Sequence, residues 1–234
     1  MHNRRKFITF TVVGSGAALM SRSIAAAQDS TPESEVAPKN KIFTNVVPDL
    51  PRAEDGKIAS VGFFTSPEDG TTFALIHNAT EDDFIMRQGW GKALDGTGEE
   101  LAEVEKVELA PYSWEADSYG LHLARFDQPF EGVESLEFEF PTVPLEEATG
   151  DLENISVTAF DPEKIPLTAT VTNDTELSLS FAPIIGIFFD EEMNIVGGAS
   201  NLAIAVGPGQ DGEAILVAHG EVTNRYLLAA FGSV

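Results

Sequence analysis

Hydrophobic and polar positions alternate in short runs along most of the chain. Leu121-His122-Leu123-Ala124-Arg125, Leu136-Glu137-Phe138-Glu139-Phe140 and Leu167-Thr168-Ala169-Thr170-Val171 repeat with period two, the spacing that turns one face of a strand inward. Turn chemistry separates such runs at Pro67-Glu68-Asp69-Gly70, Asp95-Gly96-Thr97-Gly98, Gly207-Pro208-Gly209 and Asp211-Gly212. The spacing corresponds to roughly six or seven strands per hundred residues, the density of a β-sandwich. Helical pattern is scarce. Gly98 to Val107 is rich in helix formers, and its apolar positions Leu101, Val104 and Val107 fit helix and strand alike. The pattern predicts an all-β fold.

The N-terminus follows a different order. Arg4-Arg5, with Phe7 and Ile8 close behind, precedes an apolar stretch from Phe7 to Met20, and Ala25-x-Ala27 supplies the small residues a signal peptidase needs. This arrangement resembles the twin-arginine export signal of bacteria and archaea. The apolar stretch is too short to span a bilayer core of about 30 Å as a helix. Residues 1–27 are expected to be a signal peptide cleaved after Ala27, leaving no stable membrane span and placing the product in the medium or on the outer side of the cell envelope. Residues 28–42 are Pro-, Ser- and charge-rich without a hydrophobic period and read as a flexible leader.

Composition narrows the chemistry. With 43% hydrophobic residues the chain can build a buried core despite its acidity. It has no cysteine, which removes disulfides, thiolate metal sites and thiol nucleophiles. A formal net charge of -24, becoming -28 when the four basic residues of segment 1–27 leave, offers no basic surface for nucleic acid.

An internal repeat organises the remainder. Shifted by 95 residues, Pro67-Glu68 falls on Pro162-Glu163, Ala74 on Ala169, Asn78-x-Thr80-Glu81 on Asn173-x-Thr175-Glu176, Gly91 on Gly186 and Asp95 on Asp190. These are eight identities over 29 ungapped positions, against roughly two expected from composition. The repeat predicts two tandem sandwiches, 43–143 and 152–234, joined by a linker over 144–151. Phe188-Phe189-Asp190 followed by Gly207-Pro208-Gly209-Gln210, with Ala93-Leu94-Asp95 and Ala110-Pro111-Tyr112 as counterparts, resembles bacterial immunoglobulin-like domains of the FxLYD type. Gly186 and Gly91 stand where that family has its leading Phe. The resemblance implies stalk, adhesion or binding modules of the cell exterior, although fold alone does not fix function.

Candidate chemistry is sparse. Gly207 to Gly212 satisfies G-x-G-x-x-G, but a dinucleotide loop needs a following helix and Glu213 to His219 reads as strand. His77, His122 and His219 stand singly in strands without metal-ligand spacing. Asp95 with Glu99, and Asp190 with Asn194, offer oxygen ligands suited to Ca²⁺, with solvated turns as the competing reading. No other cofactor is implied. Tyr112, Trp114 and Tyr119 cluster in one polar segment and are the candidate binding residues for an extracellular carbohydrate or protein, with capping of the sheet end as the competing reading. The expected function is a non-enzymatic binding or adhesion module. The alternatives are an exported hydrolase or Ca²⁺-dependent enzyme using acidic turns, and a structural spacer without a ligand.

Overall fold

A computed structural model describes residues 6–13, 42–44, 50–86, 89–104, 107–126, 132–144 and 152–233, and every regular element among them is a β-strand. The first eleven strands are β1 (Lys6–Val13), β2 (Phe43–Thr44), β3 (Ile58–Thr65), β4 (Thr71–Asn78), β5 (Phe84–Met86), β6 (Trp90–Leu94), β7 (Glu100–Val104), β8 (Val107–Ala110), β9 (Ser113–Trp114), β10 (Ser118–Arg125) and β11 (Ser135–Pro144). Seven more follow: β12 (Leu152–Asp161), β13 (Thr168–Thr172), β14 (Leu179–Phe189), β15 (Ile195–Val206), β16 (Asp211–Ile215), β17 (Val217–Gly220) and β18 (Tyr226–Ser233). The all-β expectation holds, and the ambiguous stretch from Gly98 contributes strands β7 and β8. The turn expected at Asp211-Gly212 is instead the start of β16. The cleavage site, the leader except Ile42 and the linker except Pro144 lie outside the described residues, as do Arg4, Arg5, Ala25 and Ala27.

All strand pairing is antiparallel. One sheet has the order β3-β4-β10-β8, and a second has β7-β6-β11-β5-β9 with β1 on the free side of β11. The third runs β16-β13-β12-β18-β14-β15-β17, with β2 added to β18. It bends at β12, which pairs with β18 through its first residues and with β13 after Ile155, so one continuous sheet supplies two facing layers. Phe43 and Thr44, expected to open the first sandwich, pair with β18 of the second.

Four layers result, with three apolar seams between them. Ile76 and Ala124 of the β4 sheet meet Leu136, Phe138 and Ala93 of the β11 sheet. At the other end, Ala169, Val171 and Ala214 meet Ile184, Phe188 and Ala203. The middle seam joins the halves: Phe73, Leu75, Leu121 and Leu123 pack on Ile185, Ile187, Leu227 and Ala229. Period-two alternation explains how β4 serves two seams, because Ala74 and Ile76 point to one side while Phe73 and Leu75 point to the other. All eight β4 positions are buried.

Two glycines permit this packing. A Cβ at Gly120 would stand 1.8 Å from Trp114 Cζ2, and one at Gly198 would stand 2.2 Å from Phe73 Cγ. The indole and the phenyl ring therefore occupy the volume that any side chain at those positions would need.

Candidate functional site

Where the chain enters the first sandwich, residues 50–53 cross the end of the middle seam and are held by three polar contacts. Tyr119 donates its hydroxyl to the Leu50 carbonyl at 3.3 Å, the Ala53 N–H donates to His77 Nδ1 at 3.0 Å, and the Arg52 guanidinium pairs with the Asp117 carboxylate. His77 Nε2 lies 3.1 Å from Asp117 Oδ1. Accepting a main-chain N–H at Nδ1 leaves the proton of the neutral ring on Nε2, which donates to Asp117. Burial holds the His77 pKa below the ordinary histidine value against the opposing bond from Asp117. His77 and Tyr119 are cross-strand partners with rings 4.5 Å apart. Both ring nitrogens are committed to the clasp, so neither is available to take a proton from a nucleophile.

The acidic turns are built alike. Asp95 Oδ1 accepts from Thr97 N–H, Thr97 Oγ1 and Glu99 N–H, and Asp190 accepts through Oδ1 from Asn194 N–H and through Oδ2 from Asn194 Nδ2. Bonding from Thr97 and from Asn194 lowers the respective carboxyl pKa values. The main chain repeats the pattern, with Asp95 N–H donating to Glu99 O and Asp190 N–H donating to Asn194 O. The carboxylates close hairpins here. Among the described residues no group of three or more His, Asp or Glu side chains is placed to hold a metal, so Asp95, Glu99 and Asp190 do not meet in one.

The aromatic segment is largely interior, which revises the binding loop expected at Tyr112, Trp114 and Tyr119. Trp114 is fully buried and donates Nε1–H to the Pro111 carbonyl at 2.7 Å. Tyr119 is buried in the middle seam, and burial raises its phenol pKa. Tyr112 is half-buried. Trp114 and Tyr119 thus pack in the interior with little surface left to solvent, each in a different apolar seam.

A surface the sequence reading passed over lies on the second half. Strands β14, β15 and β18 contain no charged residue in a chain carrying 38 acidic ones. On their seam-facing side the cross-strand partners Ile185 with Ala229 and Ile187 with Leu227 are covered by the first half. The same side continues past that cover. Pro183 opposes Leu202, Phe181 opposes Ile204, and Ser200 opposes Val217, so these side chains share the face of Ile185. Phe181, Leu202, Ile204 and Val217 are 44%, 41%, 72% and 55% exposed. At the boundary, Arg125 bonds Ser200 Oγ at 3.2 Å and Glu108 at 2.6 Å. The result is an uncharged apolar shelf, suited to receive another apolar sheet face. The runs Phe181 to Phe189 and Leu202 to Val206, which contain no charged residue and lack the alternation of a strand with one solvated face, were the available signal. Neither models of known protein families nor curated proteins match the sequence.

Proposed function

We propose that the chain is an exported, non-enzymatic binding or adhesion module, made of two tandem immunoglobulin-like sandwiches of the FxLYD type and working on the outer side of the cell. Two sets of bonds support the duplication. Asn78 Nδ2 donates to Asp82 O and Glu115 O while its Oδ1 accepts from Thr80 N–H and Oγ1; Asn173 Nδ2 donates to Leu177 O and Val206 O while its Oδ1 accepts from Thr175 N–H and Oγ1. Strand neighbours correspond as well, since β3-β4-β10 matches β12-β13-β16 and β7-β6-β11 matches β15-β14-β18.

The observation that carries a binding role is the exposed shelf of Phe181, Leu202, Ile204 and Val217 on a strongly acidic chain. A face that is apolar and uncharged, with Phe181 its one aromatic ring among Leu202, Ile204 and Val217, favours a protein partner over a carbohydrate, which would need several aromatic planes or directed polar groups. Retention of protein-coated beads by envelopes of the producing cells tests this. Wild-type beads are expected to be retained and Ile204→Glu beads released. Equal retention of both, no retention of either, or turnover of ester, glycoside or phosphate substrates by the protein would overturn the reading.

A further inference from the structure

We propose that the partner seated on this shelf is a second copy of the same chain, so that the module associates homotypically, shelf to shelf about a two-fold axis; this rests on the shelf being a binding surface. The middle seam supplies the precedent within one molecule. There, the same side of β14, β15 and β18 is covered by the apolar β4 and β10 face of the first half, with Phe73 seated against Gly198 and Leu75, Leu121 and Leu123 in the same seam. The shelf is the uncovered continuation of that side along the same strands, from Ile185 to Pro183 and Phe181 and from Ser200 to Leu202 and Ile204. What already packs on this face is therefore another apolar sheet face of this chain.

A copy of the shelf has the same character and is self-complementary by symmetry. Phe181 and Ile204, direct cross-strand partners, would meet their equivalents with Leu202 and Val217 around them. Charge favours this mode over other contacts between two copies. With a formal charge of -24 per chain, almost any other approach brings carboxylates together, whereas the strands under the shelf carry none. The remaining long-range repulsion is screened by salt while apolar contact is not, so association should strengthen as ionic strength rises. A contact held by surface ion pairs would respond in the opposite direction.

Sedimentation equilibrium of the full chain at several concentrations, with salt raised from about 0.1 M to about 1 M, reads this directly. The expected mass moves from the 25.1 kDa of one chain towards twice that value as salt increases. Ile204→Glu and Phe181→Glu are each expected to weaken dimerisation at least about thirtyfold, by burying a charge opposite its own symmetry mate. Val222→Glu, 37% exposed in the connection after β17, beside the Gly197–Gly220 pairing at the opposite end of β15 from the shelf, is expected to leave it unchanged. Both shelf positions are already substantially exposed, and thermal unfolding checks that the variants remain folded. A chain that stays monomeric throughout, dimers indifferent to the shelf variants, or equal disruption by Val222→Glu would overturn the proposal. A monomer whose beads are still retained through Ile204 would overturn only the second copy as partner. Loss of Ile204-dependent retention would overturn the binding role itself.

Discussion

His122 should make the fold sensitive to mild acid, and replacing it should remove its share of that sensitivity. The side chain is fully buried, with its ring 4.0 Å from that of Phe138, and burial pushes its pKa from 6.5 down to about 3. In the unfolded chain it regains the ordinary value. At neutral pH neither state is protonated and the group contributes nothing to the pH dependence. Between 6.5 and about 3 only the unfolded state takes the proton, so stability falls with pH, by about 1.4 kcal/mol per unit once well below 6.5. From pH 6.5 to 4.5 the loss is roughly 2.5 kcal/mol after allowing for the gradual onset of titration. The depressed carboxyls Asp95 and Asp190 act mainly below this window, because their stabilisation is lost as pH falls from their ordinary value of 3.8 through the lowered one. His77, also depressed, titrates alike in both proteins being compared. Urea unfolding of wild type and His122→Leu at pH 7.5, 5.5 and 4.5 isolates the effect. The stability difference should shift towards the variant by roughly 2.5 kcal/mol between the two ends. A difference that stays flat across that range would refute the assignment.

Gly120→Ala is expected to destabilise by about 3 kcal/mol or more, because the new methyl would lie 1.8 Å from the Trp114 indole; Trp114→Leu in the same chain should recover part of the loss, and equal denaturation midpoints for wild type and Gly120→Ala would contradict the packing. Asn78→Ala and Asn173→Ala should each cost about 2 to 4 kcal/mol, since each leaves carbonyls without their side-chain donors, and the two losses should agree within about 1 kcal/mol if the networks are equivalent. Chemical denaturation of both variants checks this, and a loss at only one of the two positions would count against their equivalence.

Much of the fold was legible because alternation is a direct record of one-sided burial. Leu136, Phe138 and their neighbours in β11 alternate with Glu137 and Glu139, and the strand lies in an outer layer. The proposed repeat rests on a different kind of signal: Asn78 and Asn173 each bond a whole turn, a geometry that few side chains can supply. The acidic turns were ambiguous because a carboxylate that accepts main-chain N–H groups is spelled like one that ligates a cation. Trp114 misled as a loop aromatic because its neighbours are polar while the space made by Gly120 lies across the sheet, six residues on in sequence. The clasp of Arg52, His77 and Asp117 joins three segments distant in sequence and leaves no local pattern.

Charge records the layering more directly than hydrophobicity does. The inner strands β3, β4, β8, β10, β14, β15, β17 and β18 contain, histidines aside, only Glu108 and Arg125, and these two pair with each other at 2.6 Å. The outer strands carry Lys92, Glu100, Glu103, Glu137, Glu139, Asp161, Asp211 and Glu213. This segregation has an energetic cause: each carboxylate brought into the middle seam would lose hydration without a cation to replace it, since acids outnumber Lys and Arg by 38 to 14. Joining the two middle layers of such an acidic chain therefore favours faces free of acid, and Phe73, Leu75, Ile185 and Ile187 supply them. The shelf obeys the same rule without having a cover. Solubility alone would favour charge at Phe181, Leu202, Ile204 and Val217, as on the outer layers. Their lack of charge sets them with the seam residues, whose place is against another sheet.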